Sequence, residues 1–310
     1  MKIVFLDSAT MGDVSFAPIS SLGDLTCYPV SSREEALARA ADAEVLIVNK
    51  VKVDKELIDS APHLKLICEA ATGVNNIDME YAASRGIPVR NAVGYSTDSV
   101  VQTTFMVILS LVGRCRYFDD FVKSGEYSRS EIFTDVSKMF FELKGRRMGI
   151  VGLGNIGSKV AEIAEAFGMQ VSYFSTSGTS HSKKYPSVAL DELMSQSDII
   201  SVHAPYNERT AGLIGEKELR MMKPSAYIVN MGRGGIIDEA ALASVIDEGK
   251  IAGAGVDVFT AEPLPADNPL MKVRNKDRLI LTPHIGWASV EARERLVGMI
   301  AANIAEEYHL

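Results

Sequence analysis

A glycine-rich turn between an apolar stretch and a helical stretch limits the possible folds of this chain more than any other feature. The run Met148–Val151 predicts a buried strand, and glycines follow at positions 152, 154 and 157. Apolar residues at 160, 163, 164 and 167 then share one face of a predicted helix. A strand, a G-x-G-x-x-G turn and a helix in this order favour a dinucleotide site in an α/β fold. The alternative is a glycine turn with a purely structural role.

Each glycine has a separate task in such a site. Gly152 permits the tight turn, Gly154 lets backbone N–H groups approach a pyrophosphate, and Gly157 lets the helix pack closely on the strand. The N-terminal end of the helix at Asn155 would carry the partial positive charge that attracts the phosphates.

The residue predicted to face the adenosine ribose is not acidic. An Asp or Glu at the end of the second strand would accept both ribose hydroxyls and repel a 2′-phosphate. Here the strand ends at Ser175, and the next acid is Asp191. With Thr176, Lys183 and Lys184 nearby, the loop favours a site that accepts NADP or NAD, with a preference for NADP. It has no arginine to bind a 2′-phosphate through two hydrogen bonds, and a solvated polar turn is the alternative.

Composition excludes several classes of partner. The net charge of −8 argues against a nucleic acid or an anionic membrane. Cysteines 27, 68 and 115 are widely spaced, which predicts reduced, buried thiols and no metal site. The apolar run that starts MKIVFL is too short for a signal segment or a membrane span, so a cytoplasmic protein is expected.

Strand-like and helix-like segments alternate twice along the 310 residues, which predicts two domains. The first series has predicted strands at Lys2–Leu6, Val45–Val48, Leu64–Cys68 and Ile87–Val89 and predicted helices at Ser32–Ala41, Asp54–Asp59 and Met79–Arg85. The second has predicted strands at Met148–Val151, Val171–Phe174, Ile199–His203, Tyr227–Asn230, Ala254–Val258 and Leu279–Thr282. Each series predicts a doubly wound parallel sheet with helices on both faces.

Two further helices are predicted outside these series. Thr97–Val112 is apolar nearly all round and must be buried between elements or between subunits, and Ser99 and Gln102 have the spacing of a capping box. The last helix, Ser289–Tyr308, is expected to return to the first domain.

Three later motifs each place a polar side chain just beyond an apolar strand. They are VNMGRGGIIDE at 229–239, GAGVDVFTAEPLP at 253–265 and LTPHIGW at 281–287. Open α/β sheets bind ligands at the carboxyl ends of their strands, so Arg233, Glu262 and His284 are predicted to converge on a nicotinamide. A carboxylate beside an imidazole favours the imidazolium form, which can donate a proton to a 2-keto acid.

These motifs, over nearly the whole chain, resemble the D-isomer-specific 2-hydroxyacid dehydrogenase family. The segments VNKVKVD, AATGVNNID and NAVGYSTDSVVQTTF are most similar to its glycerate dehydrogenase (hydroxypyruvate reductase) branch. The resemblance implies a Rossmann dinucleotide-binding domain at 98–287, inserted in a flavodoxin-like substrate domain at 1–97 and 288–310. It also implies a homodimer, with the long helix in the interface.

The resemblance assigns roles to single residues. His284 would be the general acid/base, Glu262 its hydrogen-bonded partner, and Arg233 the residue that binds the substrate carboxylate and polarises the keto oxygen. Further predicted cofactor contacts are Gly152, Gly154, Asn155, Ile156, Gly157, Ser175, Thr176, His203, Ala204, Pro205, Thr210, Asn230, Met231, Gly232, Asp257 and Gly286, with Asp257 at the carboxamide. Predicted substrate contacts besides Arg233 and His284 are Asn49, Lys50, Thr72, Gly73 and Val74. His203 could instead be a core histidine, and His63, His181 and His309 are expected to be solvated.

The expected activity is reversible reduction of a short 2-keto acid, hydroxypyruvate or glyoxylate, to the D-2-hydroxy acid by NAD(P)H. One alternative is a dehydrogenase for another acid, such as a phosphoglycerate, a lactate or a branched 2-keto acid. The other is a nucleotide-sensing binding protein of the corepressor kind.

Overall fold

The protein consists of two compact units. The second is formed by one continuous segment, and the first by the segments that precede and follow it in the sequence. The structure is a computed structural model that describes residues 1–179 and 182–310, so His181 lies outside the described residues. One unit comprises Met1–Ser96 with Trp287–Leu310, and the other comprises Thr97–Gly286.

The first unit contains a five-stranded parallel sheet with the strand order β2-β1-β3-β4-β5. This order is that of flavodoxin-like folds. Its elements are β1 Lys2–Phe5, α1 Ala17–Ser20, β2 Asp24–Cys27, α2 Arg33–Ala40, β3 Val45–Val48, α3 Lys55–Ser60, β4 Leu66–Glu69, α4 Met79–Ser84 and β5 Val89–Arg90. Strand β2 was not predicted, because it is a half-buried edge strand without a continuous apolar run.

The second unit contains a six-stranded parallel sheet with the order β11-β10-β9-β8-β6-β7. Its elements are α5 Thr97–Val112, α6 Cys115–Lys123, β6 Arg147–Val151, α7 Asn155–Ala166, β7 Gln170–Phe174, α8 Leu190–Gln196, β8 Ile199–Val202, α9 Glu216–Met221, β9 Tyr227–Asn230, α10 Glu239–Asp247, β10 Gly253–Val256 and β11 Leu279–Leu281. The chain order reverses between β6 and β8, the position at which such sheets bind ligands. The predicted α/β fold with two parallel sheets is confirmed.

Helix α5 packs on the second sheet and on α7, with Val107, Ile108 and Leu111 buried. The predicted capping box is wrong. The helix already begins at Thr97, so Ser99 lies within its first turn and its hydroxyl donates to the Gly286 carbonyl (2.6 Å).

The last helix, α11 Val290–Tyr308, belongs to the first unit. The Ser289 hydroxyl caps its N-terminus, and Leu296, Ile300 and Ile304 are buried in the core over β4. Short 3₁₀ helices lie between these elements. Ser8–Met11 follows β1, Tyr127–Arg129 follows α6, and Pro269–Lys272 and Lys276–Arg278 lie between β10 and β11.

The expectation of buried thiols is wrong for Cys115, which is exposed. Cys68 is buried, and its burial raises the pKa of the thiol to about 12.

Within residues 1–179 and 182–310, no cluster of three or more His, Cys, Asp or Glu side chains could hold a metal ion. In the same residues, no helix is long and apolar enough to cross a membrane.

Glu69, at the end of β4, is a buried acid. Its Oε2 accepts a hydrogen bond from Asn76 Nδ2 (2.9 Å), whereas its Oε1 has no partner among the described residues. Burial raises the pKa of Glu69 to about 9. The folded protein therefore holds a proton at neutral pH that the unfolded chain, with a pKa near 4.5, releases.

We predict that Glu69→Gln makes the stability of the protein less dependent on pH. The Glu69 contribution is complete below pH 4.5 and is lost as the pH rises towards 9, because the folded state has the higher pKa. Glutamine has the shape of the protonated acid and does not titrate. From pH 5 to pH 8 the unfolding free energy of the variant relative to wild type should rise by about 4 kcal/mol, measured by urea denaturation.

Glu44→Gln is the matched control. The Lys65 side chain, hydrogen-bonded to this half-buried carboxylate, lowers the pKa of Glu44 to about 2. Glu44 therefore stays ionised from pH 5 to 8, and its substitution should change stability by a constant amount over that range. A Glu69→Gln variant that keeps the wild-type pH dependence would show that Glu69 is ionised in the folded protein.

Candidate active site

The glycine turn lies at the end of β6, next to β8. Gly152 has a φ of +92°, and a Cβ there would lie 3.0 Å from the Ala204 backbone nitrogen. A Cβ on Gly157 would lie 2.2 Å from the Gly152 carbonyl oxygen. Gly154 differs, because a Cβ there would meet no atom of the described residues within 4 Å. Gly152 and Gly157 therefore allow close packing, and Gly154 leaves free space above the turn.

That free space adjoins the N-terminus of α7. Gly154 is the N-cap residue and has no side chain to cap the helix. The N–H groups of Asn155, Ile156 and Gly157 lie in the first turn, where an α-helix offers no internal acceptor. An uncapped helix end beside open space has the positive potential and the free donors that a phosphate needs.

A cavity of about 590 Å³ extends from this turn. Among its lining residues are the predicted cofactor contacts Gly152, Gly154, Ser175, Thr176, His203 and Pro205. His203 Nε2 lies 2.7 Å from the Ser201 hydroxyl, and the buried Nδ1 has no partner among the described residues. Burial lowers the pKa of His203 to about 3, so the ring is neutral. The unsatisfied nitrogen and the uncapped helix fit a nucleotide in this cavity.

Other predicted cofactor contacts hold the loops beside the cavity. The Thr210 hydroxyl accepts from the Asn207 N–H and donates to the Pro205 carbonyl (2.6 Å). The Asn230 side chain accepts from the Gly232 N–H and donates to the Arg233 carbonyl. Ala204 and Met231 are buried.

The three candidate catalytic side chains follow three adjacent strands. Val256 of β10 is paired with Asn230 of β9 on one side and with Leu281 of β11 on the other. Arg233, Glu262 and His284 all come within six residues of those strand ends. The strands are parallel and about 4.8 Å apart, so their following loops meet at one edge of the sheet.

His284 and Glu262 are in direct contact, with 2.8 Å between His284 Nδ1 and Glu262 Oε2. The other oxygen of Glu262, Oε1, accepts from the Phe259 N–H (3.0 Å), which fixes the carboxylate. Both side chains are about three-quarters buried. Because Nδ1 is bound to the carboxylate, Nε2 is the ring nitrogen that can exchange a proton with a substrate.

The backbone at His284 adopts the left-handed conformation, with a φ of +54°. This conformation costs a non-glycine residue about 1 kcal/mol, so the surrounding loop must hold it. The Asp257 carboxylate does so, since it accepts from the Thr282 hydroxyl (2.5 Å) and from the N–H groups of Ile285 and Gly286 (2.9 and 2.8 Å). The Asp257 carbonyl also accepts from the His284 N–H. The sequence did not reveal this positioning role.

Arg233 is half-buried, and its Nη1 donates to the Gly232 carbonyl (2.8 Å). Across the described residues, its guanidinium forms no ion pair. The neighbouring Gly234 lies so close to the Phe259 backbone that a Cβ would be 1.9 Å from the Phe259 carbonyl oxygen. The loop that carries Arg233 thus packs on the segment leading to Glu262. An unpaired, half-buried guanidinium is suited to bind an anionic substrate.

In the first unit, the predicted substrate residues lie at the carboxyl ends of β3 and β4. The buried Asp7 carboxylate accepts from the N–H groups of Asn49, Lys50 and Val51 at 2.6–3.1 Å. Asn49 Nδ2 donates to the Ala70 carbonyl (2.9 Å), so this side chain joins the two strand ends. Asp7 was missed because an acid after a first strand has no distinctive sequence pattern.

The loop after β4 offers free backbone donors. The Thr72 hydroxyl donates to the Ala92 carbonyl (2.7 Å), and the Thr72 carbonyl accepts from Asn91 Nδ2 (2.6 Å), which fixes the loop. The N–H groups of Thr72, Gly73 and Val74 donate to no acceptor within the described parts of the chain. Successive free amides of this kind bind carboxylates.

Comparison with known proteins identifies the family. The sequence model of one protein family matches residues 105–286. That family is described as "D-isomer specific 2-hydroxyacid dehydrogenase, NAD binding domain". The matched residues include the glycine turn and Arg233, Glu262 and His284. The chain belongs to the D-isomer-specific 2-hydroxyacid dehydrogenase family. It is therefore an NAD(P)-dependent oxidoreductase that binds small 2-keto or 2-hydroxy acids.

Three relatives illustrate the similarity of this dehydrogenase to known proteins. It is 41% identical over 270 residues to a glyoxylate reductase of Thermococcus litoralis, a match that covers 86% of this chain and 80% of the relative. It is 35% identical to a hydroxypyruvate reductase of Blautia hydrogenotrophica, over 99% and 97% of the two chains. A solved acyclic imino acid reductase in complex with NADPH and D-Arg has a TM-score of 0.85 and 31% identity, over 100% and 97% of the chains.

We predict that Gly154→Ala weakens binding of the cofactor to this dehydrogenase without destabilising it. The new methyl group has no atom of the described residues within 4 Å, but it enters the space where the pyrophosphate is expected to approach the helix. The dissociation constant for NADPH, measured by isothermal titration calorimetry, should rise about tenfold or more, a loss of about 1.4 kcal/mol.

Gly157→Ala is the matched comparison, because its methyl group would collide with the Gly152 carbonyl. That variant should lose about 1–3 kcal/mol of stability. Gly154→Ala should melt within a few degrees of wild type. Wild-type NADPH affinity in Gly154→Ala would show that the phosphates do not lie over the glycine turn.

Proposed function

We propose that this dehydrogenase reduces glyoxylate or hydroxypyruvate to the D-2-hydroxy acid, with NADPH as the preferred cofactor. The observation that carries the proposal is the 2.8 Å contact between His284 Nδ1 and Glu262 Oε2, at the sheet edge where the loop after the neighbouring strand β9 carries Arg233. An acid/base group and a group that binds carboxylates are what reduction of a 2-keto acid requires besides a hydride.

His284 is the proposed proton donor. When bound, NAD(P)H supplies the hydride to the keto carbon. The Glu262 carboxylate holds the ring through Nδ1, so that Nε2 gives its proton to the keto oxygen as the C–H bond forms. In the reverse reaction the neutral imidazole takes the hydroxyl proton back.

Arg233 is the proposed binding group for the substrate carboxylate and keto oxygen. Its positive charge stabilises the negative charge that develops on the oxygen during hydride transfer, an effect of several kcal/mol in comparable sites. The free amides of Thr72, Gly73 and Val74 support their predicted part in carboxylate binding. Asn49 and Lys50 stay predicted substrate contacts.

The choice of substrate is supported by the relatives named glyoxylate reductase and hydroxypyruvate reductase, at 41% and 35% identity. Phosphoglycerate, lactate and branched acids are the competing substrates within the same reaction. The His284–Glu262 pair argues against a binding protein without activity, because cofactor sensing does not require an acid/base pair.

The preference for NADPH is supported by the end of β7. Ser175 lines the cavity at the position where NAD-binding folds carry an acid, so nothing there repels a 2′-phosphate. The imino acid reductase that shares this fold was solved with NADPH.

A panel of 2-keto acids tests the proposal. We predict the highest kcat/KM for glyoxylate or hydroxypyruvate with NADPH, compared with pyruvate, phosphohydroxypyruvate and a branched 2-keto acid. Each substrate is assayed with both NADPH and NADH at fixed ionic strength. A kcat/KM at least tenfold higher with NADH would contradict the preference, and cofactor binding without turnover would favour the sensing function.

His284→Ala tests the mechanism in the same assay. Its kcat should fall by about two to four orders of magnitude, the usual contribution of a general acid. His63→Ala, a change at an exposed histidine of the first unit, is the control and should keep wild-type kcat. A His284→Ala enzyme with half of wild-type activity would remove His284 from this role.

We also propose that the protein is a homodimer through an apolar surface of the second unit. Helix α5 exposes Met106 and Leu109, and the segment after α6 exposes Phe133, Met139 and Phe140, of which Phe133 and Met139 are nearly 90% exposed. Leu109 contributes to two adjacent grooves, one of which includes Phe140. Exposed apolar surface of this kind is typical of protein interfaces.

Sedimentation equilibrium of the wild type and of Phe133→Ser/Met139→Ser measures the assembly. The wild type should have twice the chain mass at micromolar concentration, and the double variant should shift towards monomer because apolar contact area is lost. A wild-type monomer at that concentration would contradict the dimer.

A further inference from the structure

We propose that Arg209 binds the 2′-phosphate of NADPH and so supplies the guanidinium that the loop after β7 lacks. The proposal rests on the proposed use of NADPH and identifies the residue that determines it. The sequence did not point to Arg209, because this residue lies 34 positions after Ser175, in the segment that follows β8.

The turn at Ser175–Thr179 forms a wall of the nucleotide cavity. The Ser175 hydroxyl donates to the Thr179 carbonyl (2.5 Å), which closes the turn on itself. The Ser177 hydroxyl lies 3.2 Å from both the Ser175 and the Thr179 hydroxyl. All three side chains line the cavity, so their hydroxyls are gathered where the adenosine ribose of a bound dinucleotide would lie.

Arg209 is attached to this turn. Its Nη1 donates to the Ser177 carbonyl (2.6 Å), and its own N–H is fixed by the Asn207 side chain (2.9 Å). The guanidinium is exposed and forms no ion pair within the described ranges. A guanidinium has five N–H donors, and among the described residues only one of those of Arg209 is used, so several stay available for a phosphate.

The two lysines that the sequence suggested do not offer the same group. Lys184 is bound to Glu165, with 2.5 Å between the Lys184 amine and Glu165 Oε2, so its charge is already neutralised. Lys183 is exposed, and its ammonium is a compact charge at the end of a flexible side chain, without the planar donor pair of an arginine. Residues 175–179 contain no acid that would compete for Arg209.

The arrangement distinguishes the two cofactors. A 2′-phosphate beside Ser177 would accept hydrogen bonds from the remaining guanidinium donors of Arg209. NADH carries a hydroxyl in place of the 2′-phosphate, so the Arg209 guanidinium would stay hydrated when NADH binds. This costs little binding free energy. Arg209 therefore raises the affinity for NADPH and leaves the affinity for NADH unchanged.

Calorimetric binding to Arg209→Ala and Arg209→Lys tests the proposal without turnover. The probes are NADPH and NADH, and adenosine 2′,5′-bisphosphate and adenosine 5′-monophosphate, which lack the nicotinamide. Arg209→Ala should weaken binding of NADPH and of the bisphosphate about 10- to 100-fold, typical of lost charged hydrogen bonds. Binding of NADH and of the monophosphate should change by less than about twofold, and Arg209→Lys should be intermediate because it keeps the charge but not the planar donor pair.

Lys183→Ala is the matched control and should change NADPH binding by less than about threefold, as expected for an exposed single charge. Unchanged NADPH binding in Arg209→Ala would overturn the proposal, as would an equal loss for both cofactors, which would mean that the arginine only shapes the turn. If the wild type binds NADH more tightly but Arg209→Ala still loses only 2′-phosphorylated ligands, the role of Arg209 stands and the proposed NADPH preference fails.

Discussion

The sheet edge that carries the proposed acid/base residue His284 depends on the buried carboxylate of Asp257. Three donors from the segment that contains His284 converge on it, and its carbonyl binds the His284 N–H. These bonds hold the histidine in a left-handed conformation that the residue would not adopt alone. A carboxylate has about four acceptor positions, so after these three bonds one is left for the predicted nicotinamide carboxamide.

The first unit contains a similar arrangement, in which a buried aspartate holds a loop. Asp7 follows β1 and accepts from three consecutive N–H groups after β3, as Asp257 accepts from donors after β11. In both units a buried aspartate at one strand end fixes the loop after another strand. A loop at the edge of a parallel sheet has no sheet hydrogen bonds of its own, so a buried acceptor is an effective way to order it.

Much of the fold followed from the sequence. Apolar runs bounded by polar residues identified ten of the eleven strands that the structure describes, and the glycine spacing predicted the position of the nucleotide turn. The edge strand β2 was not predicted, because Asp24–Cys27 is half-exposed and only one of its four residues is strongly apolar. The capping box at Ser99 failed because its hydroxyl bonds to Gly286, 187 residues away, which local spacing cannot reveal.

The sequence by itself determined the fold class, the glycine turn and the chemical types at the three strand ends, because these depend on local patterns of apolar, small and charged residues. Only the tertiary structure decided which side chains meet. It joined His284 to Glu262, bound Lys184 to Glu165 and brought Arg209 to the turn after β7. Such contacts depend on the packing of strands that are distant in sequence, and no local pattern contains that information.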